Sequence, residues 1–309
     1  MSTSTKQEQL AELKEMLKHS RKLSQSTEKT YLSLLYNFQR EHRDEERGTL
    51  REFFFEFFDR SPSEILAILE DSGNPNQSKR SILSAIRVLT NDEAYIDFIR
   101  VMNERVAQRS TEDQKTKKNK LSWEDVEAIV ARYKRMVKQD DSYDVNDYHY
   151  CNWILVLLTS STMIPCRRCM DWFHFKIRNV DKTKDNYLQG NKMIFNSYKT
   201  VSTNKEARVV RVPDELYFIL RRWINHSKND YLIFQENGRS FTSSTFTKRI
   251  QRLYGKGVSV SQLRSIYTSS VLRDDIREVE KLNETLTEKA NEMGTSLNML
   301  KTVYLKNKG

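Results

Sequence analysis

The stretch MIFNSYKTVSTNKEARVVRVP, residues 193–213, decides whether this chain is all-helical or carries a sheet. Met193 to Thr200 and Arg208 to Pro213 are rich in β-branched and aromatic residues, and the polar VSTNKEA lies between them. That pattern predicts two strands forming a hairpin or a small sheet. On either side of it the apolar residues recur at helical spacing. Leu10, Leu13, Met16 and Leu17 mark a helix from Gln7 to about Ser20, and Ser26-Thr-Glu-Lys opens a second with Tyr31, Leu34, Leu35 and Phe38 on its stripe. Thr49 to Phe58 contains FFFEFF, Pro62 suits the first turn of the next helix, and Asn74-Pro75 precedes another marked by Ile82, Ala85, Ile86 and Leu89. A further helix runs from about Asp92 to Arg109.

Downstream, Ser122-Trp-Glu-Asp supplies a cap followed by acidic first-turn residues, the arrangement that complements a helix dipole. Asn152 to Thr162 is an apolar helix closed by Pro165. Beyond the strands, helices are predicted over Asp214 to Ile224, Ser243 to Tyr254, Val260 to Leu272, Asp274 to Met293 and Ser296 to Leu305. The fold class is therefore mainly α with a small β-sheet (α+β). With 8 Gly and 4 Pro in 309 residues, long helices are favoured over a β-sandwich. The length suits two domains. A helical domain is predicted over 1–110, a polar linker with four lysines over 111–121, and a second domain over 122–309.

Charge is distributed unevenly between them. Residues 1–110 carry 17 Lys and Arg against 18 Asp and Glu, whereas residues 111–309 carry 35 against 24. A cationic field of that kind fits nucleic acid, where each neutralised phosphate releases condensed counterions. No apolar run approaches the roughly 18 residues of a membrane span, and MSTSTKQEQL lacks the plan of a signal peptide, so no membrane partner and an intracellular setting are expected. Cys151, Cys166 and Cys169 give no disulfide framework. Cys166-Arg-Arg-Cys169 with His174 would be half a zinc site at most, and two adjacent arginines repel a cation, so reduced, packed thiols are expected and no metal or other cofactor.

Four features then follow in order through the basic part. An arginine pair, Arg167 and Arg168, follows the apolar helix; Lys199 stands at the end of a strand. Arg264 sits among Leu263, Ile266, Tyr267 and Val271, where the spacing predicts a cation set into an apolar helix; Tyr304 lies near the end. Taken singly, each has an ordinary explanation: a surface pair bonded to Asp171, a solvated hairpin lysine, a packed terminal aromatic.

Together they resemble the tyrosine recombinase and integrase family. Arg168-Cys-Met-Asp171 is similar to that family's Arg-x-x-Glu/Asp, with Trp172 and Phe175 at its apolar positions, and Ile-Pro-Cys-Arg-Arg resembles the form in divergent eukaryotic and large-virus members. Spacing favours Arg168 over Arg167 as the catalytic arginine. Ser-Tyr-Lys199-Thr and Val-Arg-Val-Pro-Asp-Glu-Leu match the family's hairpin; Ser261-Gln-Leu-Arg264 lies over His-x-Leu-Arg. Met293-Gly-Thr-Ser is similar to Leu-Gly-His-Ser, with Tyr304 nine residues after Thr295. Ser261 and Thr295 thus stand where the family has histidines, and a serine cannot take up a proton near neutral pH as imidazole does.

The resemblance implies a helical core-binding domain before the catalytic one, double-stranded DNA as partner, and a homo-oligomer on DNA, a tetramer in synapsis. It implies site-specific recombination or integration through a 3′-phosphotyrosyl intermediate. The setting would be a nucleus or viral replication site if eukaryotic, otherwise cytoplasm. A DNA-binding protein of this fold that no longer cuts, and a type IB topoisomerase-like relaxation of supercoils, are the alternatives left open.

Overall fold

The computed structural model describes residues 6–18, 23–42, 50–116, 121–139, 148–199, 201 and 206–304, with backbone alone at 18, 51, 109–116, 138, 139, 148 and 304. The protein is mainly helical with one four-stranded sheet, and it divides into two compact units, Met1–Asn119 and Lys120–Gly309.

The first unit contains α1 (Lys6–Lys18), α2 (Gln25–His42), α3 (Leu50–Phe58), α4 (Pro62–Asp71), α5 (Asn76–Thr90) and α6 (Tyr95–Thr116). Its core gathers Leu13, Leu17, Leu35, Phe38, Phe54, Phe57, Leu69, Ile86 and Met102. In FFFEFF, the buried rings are Phe54 and Phe57, three apart, while Phe55 between them is 66% exposed. Phe38 meets Phe57 edge to face at 5.0 Å between ring centroids, a geometry the ring quadrupoles favour. Pro62 does open α4, behind a capping box in which Ser61 Oγ accepts from Glu64 N and the Glu64 carboxylate accepts from Ser61 N.

Two boundaries differ from the sequence pattern. Helix α2 starts at Gln25, because Ser24, not Ser26, accepts from Thr27 N at 3.2 Å. Helix α6 runs on to Thr116, into the polar stretch predicted as linker, while residues 117–120 lie outside the described residues. Polarity without apolar anchors does not end a helix; Pro and Gly break one most strongly, and neither occurs between Tyr95 and Thr116.

The second unit opens with α7 (Trp123–Gln139), where Ser122 and Asp125 cap one another. Helix α8 (Tyr148–Thr159) is buried continuously from Cys151 through its end, as expected of a helix apolar on all sides. Short α9 (Met170–Phe173) leads to β1 (Phe175–Lys176), β2 (Asn186–Gln189), β3 (Lys192–Phe195) and β4 (Arg208–Arg211). The sheet order is β1-β2-β3-β4, with β1 and β2 parallel and the other pairs antiparallel. The β3–β4 pair is the one the sequence predicts, in the register Phe195 to Arg208. The β2–β3 hairpin closes on Gly190-Asn191 with Gly190 at φ 56°, a Gly-Asn turn signal between strands too short to show alternation.

Helices α10 (Asp214–His226), α11 (Ser243–Tyr254), α12 (Val260–Ser270) and α13 (Arg273–Glu292) complete the frame. Leu216, Leu220 and Trp223 bury one face of α10, and Trp223 Nε1 donates to Leu232 O at 2.8 Å. Helix α13 is exposed along nearly its whole length, Ala290 being its buried residue. It ends at Gly294 (φ 69°), where Thr295 N reaches back to Ala290 O at 2.9 Å. A left-handed residue there lets the chain reverse, which is why glycine occupies it. Beyond it, α14 (Leu297–Met299) passes into a π-helix, Leu300–Tyr304, in place of the plain α-helix predicted.

Candidate active site

The arginine pair lies in the turn between α8 and α9. Ser161 adopts φ 67°, and its hydroxyl accepts from Cys166 N at 3.0 Å, so the turn is stitched across five residues. Arg167 is pinned: Nε donates to Asp171 Oδ2 at 2.8 Å, Nη2 pairs with the same oxygen at 2.8 Å, and the guanidinium lies 3.8 Å above the Phe195 ring. Its donors and its face are engaged together. Arg168, one residue on, is exposed; its carbonyl accepts from Asp171 N at 3.0 Å, and its side chain makes no hydrogen bond or ion pair among the described residues.

Asp171 is the hub. Its side chain is 5% exposed, and Oδ1 has no hydrogen-bond partner among the described residues. Burial raises its carboxyl above the ordinary range, opposed by the charges of Arg167, Arg168 and Arg264. Three guanidiniums, two from one turn and one from α12, therefore bear on a single buried carboxylate. Arg264 also bears on Cys166, whose thiol burial pushes up to about 12. That thiol is inert, and all three cysteines are free. Among the described residues no cluster of three His, Cys, Asp or Glu could hold a metal.

Arg264 itself is exposed, which corrects the buried cation suggested by its neighbours. Leu263 takes the core position and Val271 is 45% exposed, so the apolar face of α12 is narrower than the sequence implies. One residue further, about 100° around the helix, Arg264 points to solvent. Ser259 caps α12 by accepting from Gln262 N at 3.2 Å, and Tyr267 packs on Trp123 of α7 at 5.9 Å. Ser261 and Arg264 line the same open cleft.

Lys199 is exposed just past β3. The residue that ties its strand to the arginine turn is Asn186, buried at the start of β2, which sequence reasoning missed. Asn186 Nδ2 donates to Asp171 O at 2.9 Å and to Ser197 O at 2.8 Å, and Oδ1 accepts from Ser197 N at 2.8 Å. The sequence carries no local signal that Asn186 is buried or in a strand, and none about its partners. We expect Asn186→Ala to cost about 2–4 kcal/mol in urea unfolding, because three hydrogen bonds from one buried side chain to the backbone are lost together.

Thr295 belongs to the cap of α13, and no hydrogen bond joins its side chain to Arg168, Lys199 or Arg264 among the described residues. The backbone of Tyr304 closes the π-helix; its side chain lies outside the described residues. The helix segment carrying it is tied to α13 by Lys301 Nζ donating to Asn283 Oδ1 at 2.9 Å.

No family model matches the chain, and no curated protein sequence matches it. Among solved structures it has a weak likeness to the XerA recombinase: 17% identity and a TM-score of 0.33, over 86% of this chain and 85% of that one. No described helix is long and apolar enough to cross a membrane.

Proposed function

We propose that the protein cuts and rejoins double-stranded DNA through a tyrosine-linked intermediate, as a site-specific recombinase or integrase. What supports this is that the charges of Arg167, Arg168 and Arg264 all act on buried Asp171, with Arg168 and Arg264 exposed. A phosphodiester repels nucleophiles by its own charge, and in-line attack adds charge to the equatorial oxygens. Two guanidiniums with free donors hold those oxygens and stay charged at any working pH.

In this scheme Arg168 and Arg264 clamp the scissile phosphate, and Arg167 braces the turn through Asp171 and Phe195. The Tyr304 hydroxyl gives its proton to solvent water as its oxygen attacks phosphorus, a 3′-phosphotyrosyl bond forms, and the bond to the 5′ oxygen breaks. Lys199 gives that oxygen its proton. A 5′-hydroxyl of another strand then reverses the step, and the covalent bond conserves the energy of the broken one. Ser261 and Thr295 take the two histidine positions of the resembled family; Ser261 bonds a phosphate oxygen and moves no proton. The π-helical backbone at Tyr304 agrees with the frequent placing of such turns at functional sites.

The described domain organisation and a homo-oligomer assembled on DNA belong to the same proposal. Because Ser261 and Thr295 remove both imidazoles, a DNA-binding protein that holds the phosphate without cutting is the second reading. Incubating the protein with nicked duplexes that trap the covalent intermediate separates the two. An adduct that survives denaturing electrophoresis supports cutting. Salt-sensitive binding with no adduct on candidate DNA leaves the binding protein.

A further inference from the structure

We infer that the cleft between α12 and α13 seats DNA backbone phosphates beyond the one held at Arg264, with Arg273 and Arg277 as their ligands. The inference rests on the DNA-binding part of the proposed function and is independent of whether the DNA is cut.

The cleft encloses about 530 Å³. Ser261, Arg264, Ser265 and Thr268 face it from α12, and Arg273, Ile276, Arg277 and Glu280 face it from α13. Steps of three and four residues place each set on one side of its helix. The lining therefore carries three guanidiniums against one carboxylate, with hydroxyls along the opposite wall.

The two arginines of α13 are little engaged within the protein. Arg273 Nε donates to Ser269 O at 2.7 Å, which fixes the plane of the guanidinium and leaves its two terminal nitrogens without a hydrogen bond among the described residues. Arg277 Nη1 lies 3.7 Å from Asp274 Oδ1, between side chains 69% and 94% exposed. A pair that long and that wet contributes little. The two arginines are one helical turn apart, so they offer successive anionic groups a ladder about 5.4 Å in pitch.

A sugar-phosphate backbone matches this lining better than a free anion does. Its phosphates suit the guanidiniums and hydroxyls, and its deoxyribose faces suit Ile276, which is 38% exposed in the same wall. Contacts of this kind add affinity and register with no base readout.

The test is fluorescence anisotropy of a labelled 30-base-pair duplex over a series of salt concentrations. For the double variant Arg273→Gln/Arg277→Gln we expect the slope of log K against log salt to shrink by about two, one for each lost phosphate contact. Glu280→Gln removes the carboxylate of the cleft, and binding should tighten about threefold; a gain cannot arise from misfolding. An unchanged slope in the double variant, with wild type binding and any adduct retained, overturns the inference alone. Wild type that binds no duplex at low salt overturns it together with the proposed function. Binding of anionic lipid vesicles that depends on Arg273 and Arg277, without duplex binding, would assign the cleft to a membrane surface and overturn it too.

Discussion

Tyr304→Phe is expected to abolish the covalent adduct on a trapped nicked duplex while leaving duplex affinity within about twofold of wild type. Phenylalanine keeps the ring and removes only the oxygen that would attack phosphorus. Nothing else in the chain supplies that atom in the proposed scheme, so the loss is of adduct itself, not of a rate factor. Denaturing electrophoresis of end-labelled DNA reads the adduct, and anisotropy on the same samples reads binding. An adduct of undiminished yield in the variant would assign the nucleophile elsewhere and sink the role of Tyr304.

The arginines should separate into two classes. Arg168→Gln and Arg264→Gln each remove an exposed guanidinium from the proposed phosphate clamp, and each should slow single-turnover adduct formation by about 10²–10³ with thermal unfolding little changed. Arg167→Gln should behave differently. It leaves Asp171, whose side chain is 5% exposed, without its ion-pair partner. Breaking a buried pair from one side costs about 3–5 kcal/mol.

That cost also carries a pH signature. Burial already raises the Asp171 carboxyl, and Arg167 is the charge that most opposes the rise. Without Arg167 the folded-state value rises further above the unfolded one. A raised folded value means a stabilising contribution that is full below the ordinary carboxylate range and is lost as pH climbs through the folded value. The stability gap between wild type and Arg167→Gln should therefore widen from about pH 4 towards neutrality. Equal rate losses at 167, 168 and 264 with no stability change at 167 would contradict the division of labour between clamp and brace.

Much of this architecture was legible in local chemistry. The capping residues at Ser61 and Ser122, Pro62 in a first turn and the continuous apolar run of α8 act within a few residues of themselves, so a sequence window contains their causes. The β3–β4 pair was visible for the same reason, through its strand-forming residues on both sides of a polar loop. Strands β1 and β2 were not, because two and four residues are too few to show a period and a parallel pairing is set by the fold around it. The site divides along the same line.

The sequence by itself determined the residue types and their order: an arginine pair, a lysine, a second arginine and a tyrosine, on a mainly helical frame with a small sheet. Only the tertiary structure decided what each can do. Arg167 and Arg168 are chemically identical neighbours, yet one is held by Asp171 and by Phe195, a ring 28 residues away along the chain, and the other is exposed. Arg264 looked buried by its neighbours and is exposed because Val260, Leu263 and Ile266 carry the core-facing side of the helix and Arg264 falls off it. Asn186 gave no hint that it joins the arginine turn to the lysine strand. For Arg167 and Asn186 a deciding partner is distant in sequence, and side-chain direction about a helix or turn follows from packing that no local window contains.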